Sequence, residues 1–464
     1  MNSFRIAFRN IFRNRRRSLV TMLAIAVSAV SILLFGGFVF SVMYGLQSGI
    51  VQSMGHLHIY QKGYFEYGTG DPGSYGISHY DGLIKEILAD EQLNRSVTVA
   101  TPVLYVYGIA GNFARDASKT FFGRGVVPYD LERMRNWNDY NLRDTAREEL
   151  GLSDRDTEGG VVGNGMGRML QLCDELHIDC KEKQPEKGAK AAVKAAEDFS
   201  ALADLDFKDK DANLSEKRPK IDLLAATSGG APNVITLYLN RAVKKGAKEL
   251  DDSYVAMHIT LAQRLLFGRG EPKVTGIVLQ LKHTRDIPAV KARLQKLLSG
   301  KNGDFEIREY TELAPSYGQI ISMFAMIFTF LALVMGVIVI FTIVNTMGMS
   351  VMERVNEIGT LRALGVRREG VLRQFLTEGC LLGGLGATIG VVVAVVISLA
   401  INAAGITWTP PNNVQPVYLT ILILANPFFL PGCWLGLILL TVASSLIPAR
   451  KAGRMVIVDA LRHI

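Results

Sequence analysis

Three long uncharged stretches dominate the pattern of hydrophobic and polar positions along this 464-residue chain. Residues 18–61, 313–352 and 379–449 contain no Lys, Arg, Asp or Glu. About 20 apolar residues are enough to cross a bilayer, so each of the first two stretches predicts one membrane helix. The third predicts two, because a polar, proline-bearing break at 402–416 divides it. The pattern therefore predicts four membrane-spanning helices.

The segment between the first two predicted spans has a different pattern. Residues 97–109 and 274–281 have the character of strands, and residues 286–298 that of a helix. Polar and apolar residues alternate from His56 to Tyr60, which predicts a half-buried strand. A glycine-rich run at 159–170 lacks the βαβ context of a dinucleotide site, so we expect a strand-to-helix turn there. The segment is therefore expected to form a large α+β domain.

The distribution of charge predicts the side of the membrane on which each segment lies. Cytoplasmic flanks carry an excess of Lys and Arg. The segments before span 1, between spans 2 and 3, and after span 4 together hold 15 basic and 5 acidic residues. The remaining 36 basic and 38 acidic residues belong to the inserted domain. We therefore expect both termini in the cytoplasm of a bacterium and the domain in the periplasm, with the spans in the inner membrane.

The fold class predicted is thus a membrane protein with four transmembrane α-helices and a large α+β extracytoplasmic domain inserted between helices 1 and 2. Phenylalanines and arginines near the N-terminus predict an amphipathic helix in contact with membrane lipid. The high pI of about 9.2 reflects topology, and no basic patch with interleaved aromatic residues indicates nucleic-acid binding. The predicted boundaries are 1–17 for the cytoplasmic amphipathic N-terminal helix, 18–51 for span 1 and a stalk, 52–315 for the periplasmic domain of two subdomains with a variable insert at about 145–225, 316–351 for a stalk and span 2, 352–377 for a cytoplasmic loop, 378–402 for span 3, 403–428 for an outer loop, 429–448 for span 4 and 449–464 for a cytoplasmic tail.

Several residue types in these segments could carry chemistry or packing. Cys173 and Cys180 lie in the inserted domain and can form a disulfide, with two free thiols as the alternative. His56 and His58 have the spacing of metal ligands on one strand face, but no third ligand is evident, so no metal site is predicted. Glycines four residues apart in span 3 predict a flat face for close helix packing, with a substrate pore as the alternative. These glycines are Gly379, Gly383, Gly386 and Gly390.

The polar segment between spans 2 and 3 has the most specific pattern, E-R-x-x-E-I-G-T-L-R-A-L-G. Glu353 and Glu357 lie one helical turn apart and can pair with arginines on this chain or on a partner. An apolar stripe of Ile358, Leu361 and Leu364 would face a partner, and Gly365 would end the helix. An ordinary solvated loop is the alternative. The candidate coupling residues are Glu353, Arg354, Glu357, Ile358, Gly359, Leu361, Arg362, Ala363, Leu364 and Gly365.

This pattern closely resembles the cytoplasmic coupling segment of MacB-type ABC transporter permeases, the superfamily that includes FtsX and the lipoprotein-releasing LolC and LolE proteins. The ending Pro448-Ala449-Arg450-Lys451-Ala452, with Asp459-Ala460-Leu461-Arg462, resembles the C-terminus of that superfamily. Gly55-His56 and the strand after it resemble the start of the outer domain in LolC/LolE-like permeases. The resemblance implies mechanotransmission, in which two identical or related permease chains move with two ATPases that bind ATP and Mg.

No G-x-x-x-x-G-K-[ST] motif occurs in the sequence, so we expect a separate ATPase subunit and no cofactor or catalysis on this chain. The resemblance implies extraction of lipoproteins from the inner membrane and their delivery to a periplasmic carrier. One alternative is efflux of a small molecule or peptide with a membrane-fusion adaptor. Another is FtsX-like signalling to an extracytoplasmic hydrolase, against which the large outer domain argues.

Overall fold

The computed structural model describes residues 7, 9, 13, 15–68, 74–143, 149–179, 218–246, 248–299, 304–409 and 416–455. Most of the predicted N-terminal amphipathic helix, Cys180, residues 181–217 and the C-terminal segment 459–462 lie outside this part of the chain. The described residues divide into two compact units. A membrane unit lies within residues 1–45, 316–407 and 418–464, and a sheet unit lies within 46–315 and 408–417.

Four helices in the described chain are long and apolar enough to cross a membrane, which confirms the predicted fold class. They are Arg15–Met54, Pro315–Glu353, Arg368–Ala404 and Phe429–Arg454. The helices are α1 (Arg15–Met54), α2 (Tyr80–Ala89), α3 (Glu91–Ser96), α4 (Pro128–Arg135), α5 (Asn164–Met169), α6 (Lys248–Asp251), α7 (Ile259–Phe267), α8 (Ile287–Leu298), α9 (Tyr310–Leu313), α10 (Pro315–Glu353), α11 (Val355–Ala363), α12 (Arg368–Ala404) and α13 (Phe429–Arg454).

Nine strands of the sheet unit form one sheet in the order β3-β7-β4-β6-β5-β2-β8-β1-β9. Two further short strands, β10 and β11, pair with each other. The strands are β1 (Leu57–Gln61), β2 (Val97–Asn112), β3 (Ala117–Val126), β4 (Gly159–Gly163), β5 (Lys220–Ala226), β6 (Pro232–Val243), β7 (Tyr254–His258), β8 (Gly276–Leu281), β9 (Phe305–Glu309), β10 (Thr407–Trp408) and β11 (Val417–Tyr418).

Strand β2 belongs to two parts of this sheet. Its first half, from Val97 to Val103, pairs antiparallel with β8. Its second half, from Leu104 to Asn112, pairs antiparallel with β3 and also reaches β5. The pairing of β2 with β3 closes six strands into a ring, while β8, β1 and β9 extend the sheet on the other side. The inserted domain therefore has a ring part and an open part that share one strand.

The predicted variable insert at about 145–225 includes strand β4 and most of strand β5. Strand β4 pairs with β6 and β7, and β5 pairs with β2 and β6, so both belong to the ring. The ring holds them because Val161, Val162, Ile221 and Leu223 are buried in the core. A five-residue strand that is mostly glycine and valine is too short to give a clear periodic signal.

The half-buried strand predicted from His56 to Tyr60 is fully buried instead. His56, Leu57, His58 and Ile59 are all 0% exposed. One face of the open sheet packs under helices that include α8, and Met134 of α4 packs with Val99, Val103 and Val278 on the other face. His56 and His58, the polar residues of the alternating pattern, therefore face a second buried layer. An alternating pattern in the sequence does not show whether its polar side chains face such a layer or water.

Two helices of the membrane unit extend beyond the predicted spans. Helix α12 begins at Arg368, ten residues before the predicted start of span 3 at 378. Those residues are amphipathic, with Val371 and Phe375 buried, so their charges stay on one face and do not interrupt the helix. Helix α13 likewise continues through Pro448 to Arg454.

The predicted outer loop at 403–428 is partly integral to the membrane unit. Ile421 and Ile423 are buried in a cluster with Leu33 of α1 and Ala394 of α12. Asn402 receives a hydrogen bond from the Ile421 backbone nitrogen at 2.8 Å and donates to its carbonyl at 3.1 Å. The Asn402 side-chain amide thus satisfies both backbone hydrogen-bonding groups of Ile421.

Candidate coupling site

A short helix between two long ones forms the candidate site. A turn at Arg354 separates α11 from α10. At the other end, Gly365 has a φ of +95°. The Val366 nitrogen donates to the Leu361 carbonyl, and the Gly365 nitrogen donates to that of Arg362, both at 3.1 Å. This is the Schellman arrangement, and it explains why a glycine follows the helix.

Arg354 lies in the interior and is not part of the coupling surface. Its guanidinium contacts the Glu378 carboxylate of α12 at 3.3 Å, and the two side chains are only 4% and 6% exposed. A buried charge is tolerated when it is paired. The candidate coupling residue Arg354 is therefore placed to support α11 from inside, and the sequence analysis did not single out its buried partner Glu378.

The predicted apolar stripe divides between two sides of α11. Ile358 is buried in a cluster with Val351, Val371, Phe375, Ala449 and Ala452, and Gly359 is buried beside it. Leu361 and Leu364 are 38% and 79% exposed. The stripe divides because the helix ends at Ala363, so Leu364 lies in the terminal turn and no longer follows the helical periodicity. Ile358 anchors the helix, and the two leucines remain available to a partner.

Glu353 and Glu357 pair with arginines of the N-terminal segment. Arg17 contacts Glu353 and Arg13 contacts Glu357, each at 2.7 Å. Sequence reasoning left the arginine partners open. A signal for them was present, since Arg13 and Arg17 have the same four-residue spacing as the two glutamates. The pairs hold the start of α1 against α11.

The far end of α11 is tied to the last membrane helix. Arg362 donates a hydrogen bond to the Gly453 carbonyl at 3.4 Å and another to the Met455 carbonyl. These carbonyls lie at the C-terminus of α13, where a cation is favourable. At this end of α11 lies an exposed tip, which has apolar residues at its centre and charged residues beside them. Its residues are Leu361, Ala363, Leu364, Gly365, Val366, Arg367, Arg368 and Glu369.

The four glycines of α12 lie at two different helix contacts. A Cβ on Gly379 or Gly383 would lie 2.7 Å or 1.9 Å from the hydroxyl oxygen of Ser445 or Thr441 on α13. A Cβ on Gly386 or Gly390 would instead approach α1, at 3.0 Å from the Met22 carbonyl and 2.7 Å from the Ala26 carbonyl. All four are buried. In this structure they serve close helix packing on two sides of α12.

The histidines and cysteines of the sheet unit take structural positions. Burial lowers the pKa of His56 to about 4 and, with the nearby Arg124 charge, that of His58 to about 3. The Leu281 nitrogen donates to His56 Nδ1 at 3.0 Å, so its Nε2 carries the proton and donates to Thr284. Cys173 is disulfide-bonded, and its predicted partner Cys180 lies outside the described residues. No group of three potential metal ligands occurs among the residues that the structure describes.

The site is suited to mechanical contact. Its short helix is anchored by one buried ion pair, by an apolar cluster, by two ion pairs to the start of α1 and by Arg362. It holds an apolar tip in an exposed position. A partner protein bound at this tip could therefore transmit force to α10, α12 and α13 together.

Comparison with known proteins shows which families parts of the chain resemble. Residues 320–457 match the FtsX-like permease C-terminal family. The chain is similar to the macrolide export ATP-binding/permease protein MacB of Bdellovibrio bacteriovorus, with 28% identity over 229 residues, or 47% of this chain and 32% of that protein. It is also similar to an uncharacterized ABC transporter permease of Methanocaldococcus jannaschii, with 28% identity over 163 residues, or 35% of this chain and 40% of that one. The matched stretches thus span about a third and two fifths of these relatives.

A solved structure also aligns with the chain. The periplasmic region of MacB from Actinobacillus actinomycetemcomitans aligns at a TM-score of 0.28 and 13% identity, over 57% of this chain and 94% of that one. The structure itself combines four helices long and apolar enough to cross a membrane with an inserted α+β domain. Residues 320–457 are thus similar to the FtsX-like permease C-terminal family, and parts of the chain are similar to MacB-type ABC transporter permeases.

Proposed function

We propose that this chain is the permease subunit of an ABC transporter that works by mechanotransmission. ATP would be hydrolysed by a partner ATPase carrying ATP and Mg, and this chain would convert the closure of that ATPase into movement of its extracytoplasmic domain. A second permease chain, identical or related, would complete the assembly. The Methanocaldococcus relative, named as a permease alone, supports a separate ATPase.

The observation that carries this proposal is the anchored apolar tip of α11. Leu364 is 79% exposed although the helix beneath it is fixed by buried contacts. The apolar tip would form the centre of a protein–protein contact, and the neighbouring Arg367, Arg368 and Glu369 would form its polar rim. The basic residues at this end favour a cytoplasmic position, with both termini inside and the spans in a bacterial inner membrane.

For the work done outside the cytoplasm, we propose extraction of lipoproteins from the inner membrane. Its support is the LolC/LolE-like start of the outer domain at Gly55-His56, and a periplasmic lipoprotein carrier would then accept the product. Efflux of a small molecule or peptide through a membrane-fusion adaptor is the second candidate. The Bdellovibrio relative is named for macrolide export, which favours that candidate.

Purification of the intact complex in mild detergent, with mass spectrometry of its proteins and lipids, tests the proposal. We expect an ABC ATPase to co-purify, together with triacylated lipoprotein for lipoprotein release or with an adaptor for efflux. Leu364→Ser should weaken ATPase retention at least tenfold, which corresponds to about 1.4 kcal/mol. Leu424→Ser is the matched control, because Leu424 is 71% exposed but lies between α12 and α13. Unchanged ATPase retention and stimulation in Leu364→Ser would refute the coupling assignment.

A further inference from the structure

A groove in the membrane unit lies apart from the coupling tip. It runs between α10 and α13 and has a volume of about 360 Å³, within the range of small-ligand sites. Phe341, Val344 and Met349 give it apolar walls. Gly348 forms part of its lining, and no atom lies within 4 Å of the position that a Cβ would take there. The groove therefore has room for a narrow apolar chain.

One polar side chain lies inside this apolar setting. Asn345 lines the groove and is exposed, yet its amide makes no hydrogen bond within the described part of the chain. It precedes the end of α10 at Glu353 by eight residues, or about 12 Å along the axis. A polar group at such a depth is costly in hydrocarbon unless a partner reaches it. A ligand with a polar group below its head would supply that partner.

A cation lies at the edge of the same groove. Lys451 of α13 lines it, is exposed, and forms no ion pair with the residues that the structure describes. Arg450 and Arg454 are exposed on the same helix end. Basic groups beside membrane helices attract anionic lipid headgroups, at about 1 kcal/mol for each charge near the surface. The groove is thus apolar along its walls and positive at its edge.

We propose that this groove binds one acidic phospholipid of the surrounding leaflet. An acyl chain would lie against Phe341 and Met349, the ester region would face Asn345, and the phosphate would meet Lys451. A second copy of this chain fits less well, because an isologous contact brings the same patch of both copies together and the described lining of this patch contains no carboxylate that could pair with Lys451. Charge complementarity therefore favours the lipid.

Lipid retention by the purified full-length protein tests this site. The protein is exchanged into detergent with equal phosphatidylglycerol and phosphatidylcholine, washed, and its bound lipid is measured by mass spectrometry. The wild type should retain phosphatidylglycerol at least threefold over phosphatidylcholine. Gly348→Leu, which fills the groove, should lower retention of both lipids. Lys451→Gln should remove the preference for phosphatidylglycerol.

Two matched variants control for nonspecific effects. Gly384→Leu makes the same change on α12 at a position that is also open within 4 Å, and Arg373→Gln removes an exposed charge of α12 outside the groove lining. Both should behave as wild type, with unchanged thermal unfolding in all four variants. Equal lipid retention by wild type, Gly348→Leu and Lys451→Gln would overturn the proposal. So would a change of oligomeric mass in Gly348→Leu without lipid loss, since the occupant would then be a second copy.

Discussion

At the scale of single residues, the Arg354–Glu378 pair is the contact on which the coupling helix most depends. Removal of one partner leaves the other charge buried and unpaired, which costs about 3–5 kcal/mol. We therefore expect Arg354→Met to lower the thermal unfolding temperature strongly in detergent. The double variant Arg354→Met with Glu378→Leu should recover much of this loss, because both charges are then absent. Equal destabilisation by the single and double variants would show that the two groups are not coupled.

The buried histidines make a second residue-scale prediction, on pH dependence. Their pKa values in the folded chain, about 4 for His56 and about 3 for His58, lie below the usual 6.5. Protons therefore bind the unfolded chain better, so stability is complete above pH 6.5 and is lost as the pH falls toward 4. Lowering the pH from 7.5 to 5.5 should reduce the free energy of unfolding by roughly 1 kcal/mol for each histidine.

Thermal unfolding at these two pH values measures the histidine effect. His58→Leu should make the unfolding temperature less dependent on pH than in the wild type. His79→Gln is the control variant, because the His79 side chain is 91% exposed. A wild-type slope retained in His58→Leu would argue against His58 as a source of the pH dependence.

At the scale of elements, the glycines of α12 set how closely the membrane helices approach. A Cβ on Gly390 would lie 2.7 Å from the Ala26 carbonyl oxygen, and backbone cannot rotate away as a side chain can. We expect Gly390→Ala to destabilise the protein by about 1–3 kcal/mol. Gly384→Ala, with open space around it, should have little effect or stabilise α12 slightly. Equal unfolding temperatures for the two variants would exclude close α1–α12 packing at Gly390.

The elements also show which features a sequence reveals. The four spans were predictable because a bilayer requires long runs without charge, which are visible locally. The strand order of the ring was not predictable, because β4 and β6 pair in parallel although Gly159 and Tyr238 lie far apart in the chain. A short helix in the candidate coupling segment was predictable from its charges and glycine. The burial of Arg354 was not, because a local pattern does not show that a charge has a buried partner elsewhere.

At the scale of the whole molecule, the ion pairs between the N-terminal segment and α11 connect the start of span 1 to the coupling site. The Arg17 and Glu353 side chains are 30% and 45% exposed, so their pair contributes at most about 1 kcal/mol of stability. The pair is better suited to fixing the angle of α11 than to holding the fold. Any function of this contact should therefore appear in coupling, with little change in unfolding temperature.

Charge exchange separates an internal role of this pair from direct contact with an ATPase. Arg17→Glu or Glu353→Arg alone places like charges together and should lower the permease-dependent ATPase rate of the purified complex severalfold. The double exchange restores an opposite pair and should restore the rate. Arg16→Glu, the same change at an exposed neighbour, should leave the rate near that of the wild type. If Glu353 instead contacts the ATPase, the double exchange will remain as defective as Glu353→Arg, because the charge presented to the partner stays reversed.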